Sequence, residues 1–414
     1  MHILTEVYKE QDTPSVDDSV EMATRIVPNA IDASEWMDLF ETVLSYVDDD
    51  LAHLLYDPKY KSIIERFVHD FFAHEFPVLC EDNLETMTEI IVIAINYYFT
   101  FIAVPRSSLR ADGWKQSNAA DIIEHLIQKD HHEQKTDEWH RYRHNLVTAS
   151  NAWKALDSSC NLNSFIFGKC KPVEIRSQES YNLSTPFHWG IKYEPVSILL
   201  YEYLYEATIT DFGCIQHDEH KFLGASPDGI NTKSNHPLLG RMLEIKNIVN
   251  RDITGIPKKE YWVQMQIQME VCNLDFCDFL ECRFQEYAFS EDFFADGSFS
   301  RTSAGLLKGC FLQFCAEDKP FYAYSPFQCS EQEYEVWRKD CLTEHADKKL
   351  IKTIYWHLDE YSCVLVERNR YWFNTIVSQL ETVWNTIQYE RIHGYEHRES
   401  KKRKIEETVV FSVL

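Results

Sequence analysis

The chain has 414 residues, 44% of them hydrophobic and 14% aromatic, so it is long enough to bury a substantial core and to form two or three domains. With 12 Gly and 13 Pro it is not of low complexity, and a formal net charge of −25 argues against a protein that coats nucleic acid along its whole surface. An enzyme that grips one strand in a local cleft is still allowed, because bulk charge does not fix the local potential.

The cysteines and the apolar runs indicate where the chain resides. The 12 cysteines include no CxxC pair, and the first ten residues lack the basic and then apolar order of a secretory signal. Cys272, Cys277 and Cys282 lie on strand-like sequence at a spacing that favours core packing over a zinc or iron–sulfur site. The apolar run Ile90 to Val104 is too short to span a bilayer and predicts a buried helix. We therefore expect an intracellular protein, not secreted, with reduced thiols and no membrane partner.

The first part of the chain has a helical pattern. Residues 1–30 are polar and patternless, which predicts a flexible arm. From Ala33 onward apolar residues recur at helical spacing, with Asp32 as a candidate N-cap, so residues 31–115 are predicted to form a helical N-terminal domain. The stretch Pro105 to Asn118 is typical of a linker. This region shows no catalytic constellation, so its function cannot be inferred from it.

A possible phosphate-binding pattern begins the second domain, which is predicted over residues 116–395. Arg143 precedes Thr148 and Ser150, in a segment able to start a helix. A guanidinium, a hydroxyl and the N–H groups of a helix start can together hold a terminal phosphate; an N-cap serine beside a surface arginine is the alternative. The nearby histidines lack the HExxH arrangement and are interpreted as solvated helix and loop residues: His131, His132, His140 and His144.

The next predicted helix carries a carboxylate of interest. The stretch Phe187 to Thr208 has helical spacing, with Glu194 near its start and Gly190 allowing close backbone approach. If this helix packs beneath the strands that follow, Glu194 could supply a metal ligand or orient a water. As an isolated residue it is equally explained as a carboxylate favoured by the helix dipole.

The strongest chemical pattern follows that helix. The runs Lys221–Ala225 and Met242–Val249 flank a Pro-Asp-Gly turn and a polar loop, which predicts an antiparallel hairpin. Glu244 and Lys246 are two residues apart on one strand and therefore share a face, and Asp228 of the turn is expected beside them.

These residues suit phosphodiester hydrolysis. The oxygens of Asp228 and Glu244 and the backbone carbonyl of Ile245 would form an all-oxygen pocket for Mg²⁺ or Mn²⁺, and Lys246 would orient or help to deprotonate a bound water. A metal ion there would lower the pKa of the water and neutralise the phosphate being cleaved. The alternative is ordinary, because Pro-Asp-Gly is a common turn and Glu-x-Lys a common surface pair.

Three further segments complete the sequence. A helix is predicted with Tyr261, Gln264 and Gln268 in one polar row facing a cleft, where the glutamines need partners. A C-terminal helix, about Trp372 to Ile392, has an apolar stripe typical of core packing. Residues 396–414 are predicted to form a charged tail. Its basic run at residues 401–404 is interpreted as solvated, with nuclear targeting or phosphate contact as the alternative.

Five motifs follow one another in the chain: Trp139-xxx-Arg143-xxxx-Thr148-Ala149-Ser150, Trp189-Gly190-xxx-Glu194, Ser226-Pro227-Asp228-Gly229, Glu244-Ile245-Lys246 and Tyr261-xx-Gln264-x-Gln266-xx-Met269. In this order they resemble the lambda exonuclease family, the YqaJ-type viral recombinases of the PD-(D/E)XK nuclease superfamily. The stretch IYWHLDEYSCVLVERNRYWF also resembles versions of the enzyme from large DNA viruses.

The resemblance implies a restriction-endonuclease-like α/β core, with a central mixed β-sheet flanked by helices, and one or two Mg²⁺ or Mn²⁺ ions per site. It implies exonucleolytic cutting of DNA from a 5′ end in replication, recombination or repair. The residue roles that it implies are metal ligation by Asp228, Glu244 and the Ile245 carbonyl, with Glu194 as a further candidate; catalysis by Lys246, with Glu194 and Gln264 completing the site; and binding of the 5′ phosphate and DNA by Arg143, Ser150, Ser226 and Tyr261.

The expected partners are DNA, as duplex ends or single strand, a single-strand annealing protein and other copies of the chain. The extra sequence at both ends leaves open whether a ring-shaped trimer forms. The expected location is the host cytoplasm, a viral factory or the nucleus. Two alternatives remain at this point: a Cas4-like nuclease of a defence system, acting on single strands or internally, and a non-catalytic recombination scaffold that binds DNA ends.

Overall fold

The computed structural model describes residues 33–77, 84–103, 106–109, 116–129, 136–173, 183, 185–316 and 319–399. The predicted N-terminal arm, part of the predicted linker, His131, His132 and the basic run at 401–404 lie outside these residues.

The N-terminal region is helical, as predicted. Its elements are α1 (Ala33–Asp49), a 3-10 turn (Ala52–Tyr56), α2 (Tyr60–Glu75), α3 (Leu84–Tyr97) and a π turn (Tyr98–Ile102). Residues at helical spacing bury one face of each helix in a shared core that includes Phe40, Ile64 and Ile91. The apolar run that begins at Ile90 was predicted as one buried helix. It forms the last part of α3 and then continues into the π turn. The boundaries of the predicted domain at residues 31 and 115 stay a prediction.

The second part of the described chain is built on a seven-stranded mixed sheet. Its strands lie in the order β2-β5-β6-β7-β10-β8-β9, with β6 and β7 parallel and all other neighbours antiparallel. The strands are β2 (Ile209–Thr210), β5 (Gly229–Asn231), β6 (Met242–Asn247), β7 (Phe276–Glu286), β8 (Lys308–Ala316), β9 (Lys319–Tyr324) and β10 (Lys349–Glu367). A three-stranded sheet lies apart from it, formed by β1 (Val147–Thr148), β4 (Leu223–Ala225) and β3 (Ile215–Gln216).

Helices cover the sheet and connect its strands. They are α4 (Ala119–Ile127), α5 (Asp137–His144), α6 (Ala149–Ala155), α7 (Ser159–Cys170), α8 (Pro186–Tyr205), α9 (Lys259–Cys272), α10 (Ser290–Ala295), α11 (Glu331–Glu344) and α12 (Arg370–His393). Side-chain oxygens cap several starts; the Thr185 side chain, for example, accepts the His188 N–H of α8. The α/β class with a central mixed sheet flanked by helices is confirmed. None of the helices in the described residues is long and apolar enough to cross a membrane.

Side-chain alternation along the strands divides the core into two layers. Met242 and Phe279 point into the layer that contains α9 and α12, whereas Leu243 and Leu280 point into the layer that contains α8. Glu244 has the parity of Met242 and therefore faces α9, which fixes the side of the sheet on which its carboxylate lies.

The predicted hairpin was wrong in its first strand. Lys221–Ala225 does not pair with β6; β4 pairs with β1 and β3 instead. The partner of β6 is β5, which begins at the glycine of the Pro-Asp-Gly turn. Gly229 allows β5 to lie between β6 and β2, since a Cβ there would lie 2.1 Å from the Ile209 side chain of β2. The glycine permits this close strand approach, so it begins a strand of the central sheet and leaves Asp228 at the entry to that strand.

Candidate functional site

Asp228, Glu244 and Lys246 meet at β6. The backbone N–H of Asp228 donates to the Leu243 carbonyl at 3.1 Å, and the Ile245 N–H donates to the Asp228 carboxylate at 2.6 Å. The Nζ of Lys246 forms an ion pair with Oε1 of Glu244. The Asp228 carboxylate is thus hydrogen-bonded to the backbone of Ile245, which lies between Glu244 and Lys246.

Burial dominates the electrostatics of this group. Burial raises the pKa of Asp228 well above its usual range, and the Glu244 carboxylate adds to the rise. Burial alone would lower the pKa of Lys246. The Glu244 and Asp228 carboxylates outweigh burial, so the pKa of Lys246 is raised. Lys246 is therefore charged at neutral pH and acts as the internal counter-charge of two crowded carboxylates.

Gln268 of α9 completes the hydrogen bonds of Glu244. Its Nε2 donates to Oε2 of Glu244 at 2.7 Å and to the Ser226 carbonyl at 3.3 Å. Its buried Oε1 has no hydrogen-bond donor among the residues that the structure describes. Gln264, which the family motif indicates, lies half-buried one turn earlier on α9, and its role stays a prediction. The position of Gln268 in the predicted polar row was the sequence signal for it.

The oxygen donors available for a metal ion are few. Within the described ranges, no three His, Cys, Asp or Glu side chains cluster closely enough to hold an ion. The carboxylates of Asp228 and Glu244 lie together beside the backbone of Ile245, whose carbonyl as a metal ligand stays a prediction. Glu194 of α8 is near enough for its charge to raise the pKa of Asp228, after burial and Glu244, but its ligation stays a prediction.

The ring of Tyr261 lies between Lys246 and Arg251, and Arg251 was not predicted as a site residue. The Nζ of Lys246 lies 5.0 Å from the centroid of the Tyr261 ring, and the guanidinium of Arg251 lies 5.8 Å from it. Arg251 is in turn paired with the buried carboxylate of Glu281 on β7. Only the fold shows this chain of contacts, because Glu281 is opposite Lys246 in the parallel register.

The three predicted phosphate-binding side chains also come together. Nη1 of Arg143 donates to Oγ of Ser226 at 2.9 Å, and its Nη2 donates to Oγ of Ser150 at 3.2 Å. The guanidinium stacks on Trp139, 4.2 Å from the ring centroid. We call Arg143, Ser150 and Ser226 the clamp. Ser226 lies two residues before Asp228, so the clamp and the carboxylates are joined through Pro227.

The cysteines singled out in the sequence lie in the core. Cys272 and Cys277 are buried in the layer that contains α9, and Cys282 is buried in the layer that contains α8. All three are free thiols, and the five-residue spacing puts Cys277 and Cys282 of β7 on opposite faces of the strand. This arrangement fits core packing.

Fold and site thus define an α/β protein with a carboxylate–lysine group and a cationic clamp side by side. Residues 138–275, about a third of the chain, match the model of the YqaJ-like viral recombinase domain. The matched range includes every predicted site residue.

Two kinds of relative resemble the chain. An uncharacterised protein of Acanthamoeba polyphaga mimivirus is 28% identical over 324 residues, which are 68% of this chain and 56% of that protein. The chain thus spans little more than half the length of that relative. An alkaline exonuclease from Laribacter hongkongensis gives a TM-score of 0.34 at 17% identity, covering 63% of this chain and 95% of its own. Its complex with dAMP gives 0.36 at 18%, with the same coverage.

Proposed function

We propose that the chain is a divalent-metal-dependent deoxyribonuclease that removes nucleotides from duplex ends in the 5′→3′ direction, in viral-type DNA replication, recombination or repair. The observation that carries the proposal is the Ser226-Pro227-Asp228 segment, which joins the clamp to the carboxylates. A terminal phosphate held at Ser226 would lie close to a group suited to cutting the next phosphodiester. The match to a viral recombinase domain supports the same conclusion.

The residues fit a Mg²⁺ or Mn²⁺ ion. Asp228, Glu244 and the Ile245 carbonyl offer hard oxygen donors, and Mg²⁺ is commonly held by one or two carboxylates, with waters and substrate phosphate as its other ligands. Burial and the Glu244 carboxylate raise the pKa of Asp228 despite the opposing charge of Lys246, so a cation would favour its ionised form. When bound, the ion would supply Lewis-acid activation of water and neutralise charge on the phosphate.

The side chains around the carboxylates would position the water. Lys246 holds its proton on Nζ beside Glu244, where it can donate a hydrogen bond to a water or to a phosphate oxygen. Gln268 binds Glu244 through Nε2, and the Oε1 of the same amide has no donor among the described residues. An acceptor buried without a donor is costly, and a water O–H would satisfy it. Gln268 would thereby orient the water through Oε1 while its Nε2 holds Glu244.

The clamp would hold the end of the strand. Arg143 spans the two hydroxyls of Ser150 and Ser226, and a phosphate between them would receive charge-assisted hydrogen bonds. Tyr261 would stabilise Lys246 and Arg251 through its ring face and contact DNA at the cleft. Glu194 and Gln264 would complete the surroundings of the carboxylates.

The test is a time course on linear duplex DNA labelled separately at each 5′ and 3′ end, with Mg²⁺ and with EDTA. We expect early release of the 5′ label, late release of the 3′ label and no release in EDTA. Equal release from both ends, or first release of the 3′ label, would contradict the direction. Cutting of circular single-stranded DNA would favour the Cas4-like alternative. End binding without turnover after Mg²⁺ is restored would favour the scaffold.

A further inference from the structure

A cavity lies beside Arg143, and neither Asp228 nor Glu244 is among its lining residues. Its volume is about 290 Å³, and it is open to solvent. The polar part of its lining comes from α5, the start of α6 and the end of α7: His140, Arg143, His144, Thr148, Asn151 and Lys169. The clamp and the cavity share Arg143, so an anion held by the clamp lies next to the cavity.

Lys169 is the cation that the clamp does not include. Its Nζ donates to the backbone carbonyl of Arg143 at 2.7 Å, which fixes the ammonium beside the clamp. Arg391 of α12 holds the backbone of α7 and the backbone of α5 together. Its Nε donates to the Lys169 carbonyl and its Nη2 donates to the His144 carbonyl, each at 2.9 Å. Arg391 lies outside residues 138–275, the range that matches the family model. The C-terminal helix therefore holds Lys169 through a residue that is not part of the family motifs.

These three cations are not neutralised by carboxylates in the part of the chain that the structure describes. The acceptors of Arg143, Lys169 and Arg391 are hydroxyls, backbone carbonyls and one amide oxygen. Burial lowers the pKa of Lys169 to about 7, and the charges of Arg143 and Arg391 add to the effect. In a chain with a net charge of −25, such a concentration of positive charge indicates a site for an anion.

We propose that Lys169 is a specificity-determining residue that reads the second negative charge of a 5′-terminal phosphate, which enters the cavity beside Arg143. This inference rests on the proposed function. A terminal phosphate monoester has a second pKa of about 6 and is nearly doubly charged at neutral pH, whereas an internal diester carries one charge. The clamp supplies one fixed positive charge with two neutral hydroxyls, and Lys169 supplies the second.

The groups that face Lys169 define how pH acts on it. They are Arg143 and His144 from α5, Arg391 from α12 and the buried thiol of Cys214. Burial, with Arg391 and Lys169, lowers the pKa of His144 to about 4, so His144 contributes no charge at neutral pH. A doubly charged phosphate favours the protonated ammonium, so its binding should raise the pKa of Lys169 and take up a proton from solution.

The experiment compares Lys169→Met and Lys169→Arg in the full-length chain. Lys171→Met is the matched control, because Lys171 lies just beyond the same helix, exposed and over the ring of Phe167. The substrates are linear duplexes with a 5′-phosphate or a 5′-hydroxyl. Since a charged hydrogen bond contributes about 1.5–3 kcal/mol, we expect Lys169→Met to reduce the rate ratio between the two ends about tenfold or more. Lys169→Arg and Lys171→Met should keep the wild-type ratio.

A binding measurement separates this inference from the nuclease proposal. Calorimetric titration with inorganic phosphate and with singly charged dimethyl phosphate needs no catalysis. The wild type should prefer inorganic phosphate, take up a proton on binding it near pH 8, and bind it more weakly as pH rises above about 7. Lys169→Arg should keep the preference without that pH dependence, and Lys169→Met should lose the preference.

The outcomes are distinct. If Lys169→Met keeps the full preference for a 5′-phosphate and for inorganic phosphate, the role of Lys169 is overturned while the nuclease proposal stands. A wild type that cuts DNA without any end preference overturns it in the same way. A wild type that cuts no DNA but binds inorganic phosphate through Lys169 overturns the nuclease proposal and leaves the anion site. Circular dichroism identifies any variant that fails to fold, and in that case Lys169→Arg and its pH profile decide.

Discussion

The two halves of the site have opposite charge and differ in how that charge is neutralised. On one side of Pro227, Asp228 and Glu244 are crowded together, with Lys246 as a partial internal counter-ion. On the other side, Arg143 and Lys169 have only neutral acceptors among the described residues. Each half would be stabilised by a missing charge of opposite sign. Under the proposed function, a divalent cation and a terminal phosphate would supply those charges at neighbouring positions of the chain.

The largest effect should come from removing one carboxylate. Asp228→Asn keeps the shape but removes a charged oxygen donor, so we expect a loss of activity of about a thousandfold or more with Mg²⁺. The same change relieves the crowding with Glu244, so the melting temperature in EDTA should rise. End-labelled digestion and thermal unfolding measure the two effects. The control is Asp292→Asn at an exposed helix start. Activity near wild type would remove Asp228 from the site.

Removing the internal counter-ion should have the opposite effect on stability. Lys246→Met leaves the fully buried Glu244 without its ion pair, and breaking such a pair from one side costs about 3–5 kcal/mol. We expect a lower melting temperature in EDTA and a loss of activity of about a hundredfold, because Lys246 no longer donates to the reacting group. Mg²⁺ should restore part of the stability but not the activity. A variant as stable as the wild type in EDTA would contradict the role of Lys246 as counter-ion.

A smaller effect should distinguish the two glutamines of α9. Gln268→Leu removes the hydrogen bond to Glu244 and the Oε1 acceptor, and we expect about a tenfold lower turnover rate. Gln264→Leu is the matched variant, at the position that the family motif indicates. Steady-state digestion of both variants compares the two positions. If Gln264→Leu has the larger effect, the family motif identifies the functional glutamine better than the geometry does.

The sequence could predict the contacts that depend on short spacing. Alternation along a strand puts Glu244 and Lys246 on one face, and the spacing from Trp139 to Ser150 gives a helix end followed by a helix start. The pairing of β5 with β6 could not be predicted, because the spacing alone does not decide whether residues 221–225 or residues 229–231 lie beside β6. The polar row on α9 is visible in the sequence, but the rotation that turns Gln268 toward Glu244 depends on tertiary packing.

Residues that act through distant contacts were also beyond sequence reasoning. Arg391 lies 222 residues after Lys169 and reaches it only because α12 packs on α7. Lys169 itself follows an apolar run that carries no chemical pattern. Its importance appears only when the fold surrounds it with other cations and leaves it half-buried.

The smallest expected effect concerns the cationic half, where stability should change with pH. The pKa of Lys169 is about 7 in the folded protein and about 10.4 in an unfolded chain, so between these values the unfolded state binds more protons. The stability contributed by Lys169 therefore rises with pH from about 7 toward 10. Below pH 7 the full cost of burying the charged ammonium applies.

Lys169→Met removes this cost, so the melting temperature of the variant should exceed that of the wild type by about 2 °C at pH 7, with a smaller difference at pH 9. Saturating inorganic phosphate should cancel the difference by neutralising the cations, whereas Lys171→Met should match the wild type at both pH values. Identical curves for Lys169→Met and the wild type would show that solvent or residues outside the described ranges already balance this charge.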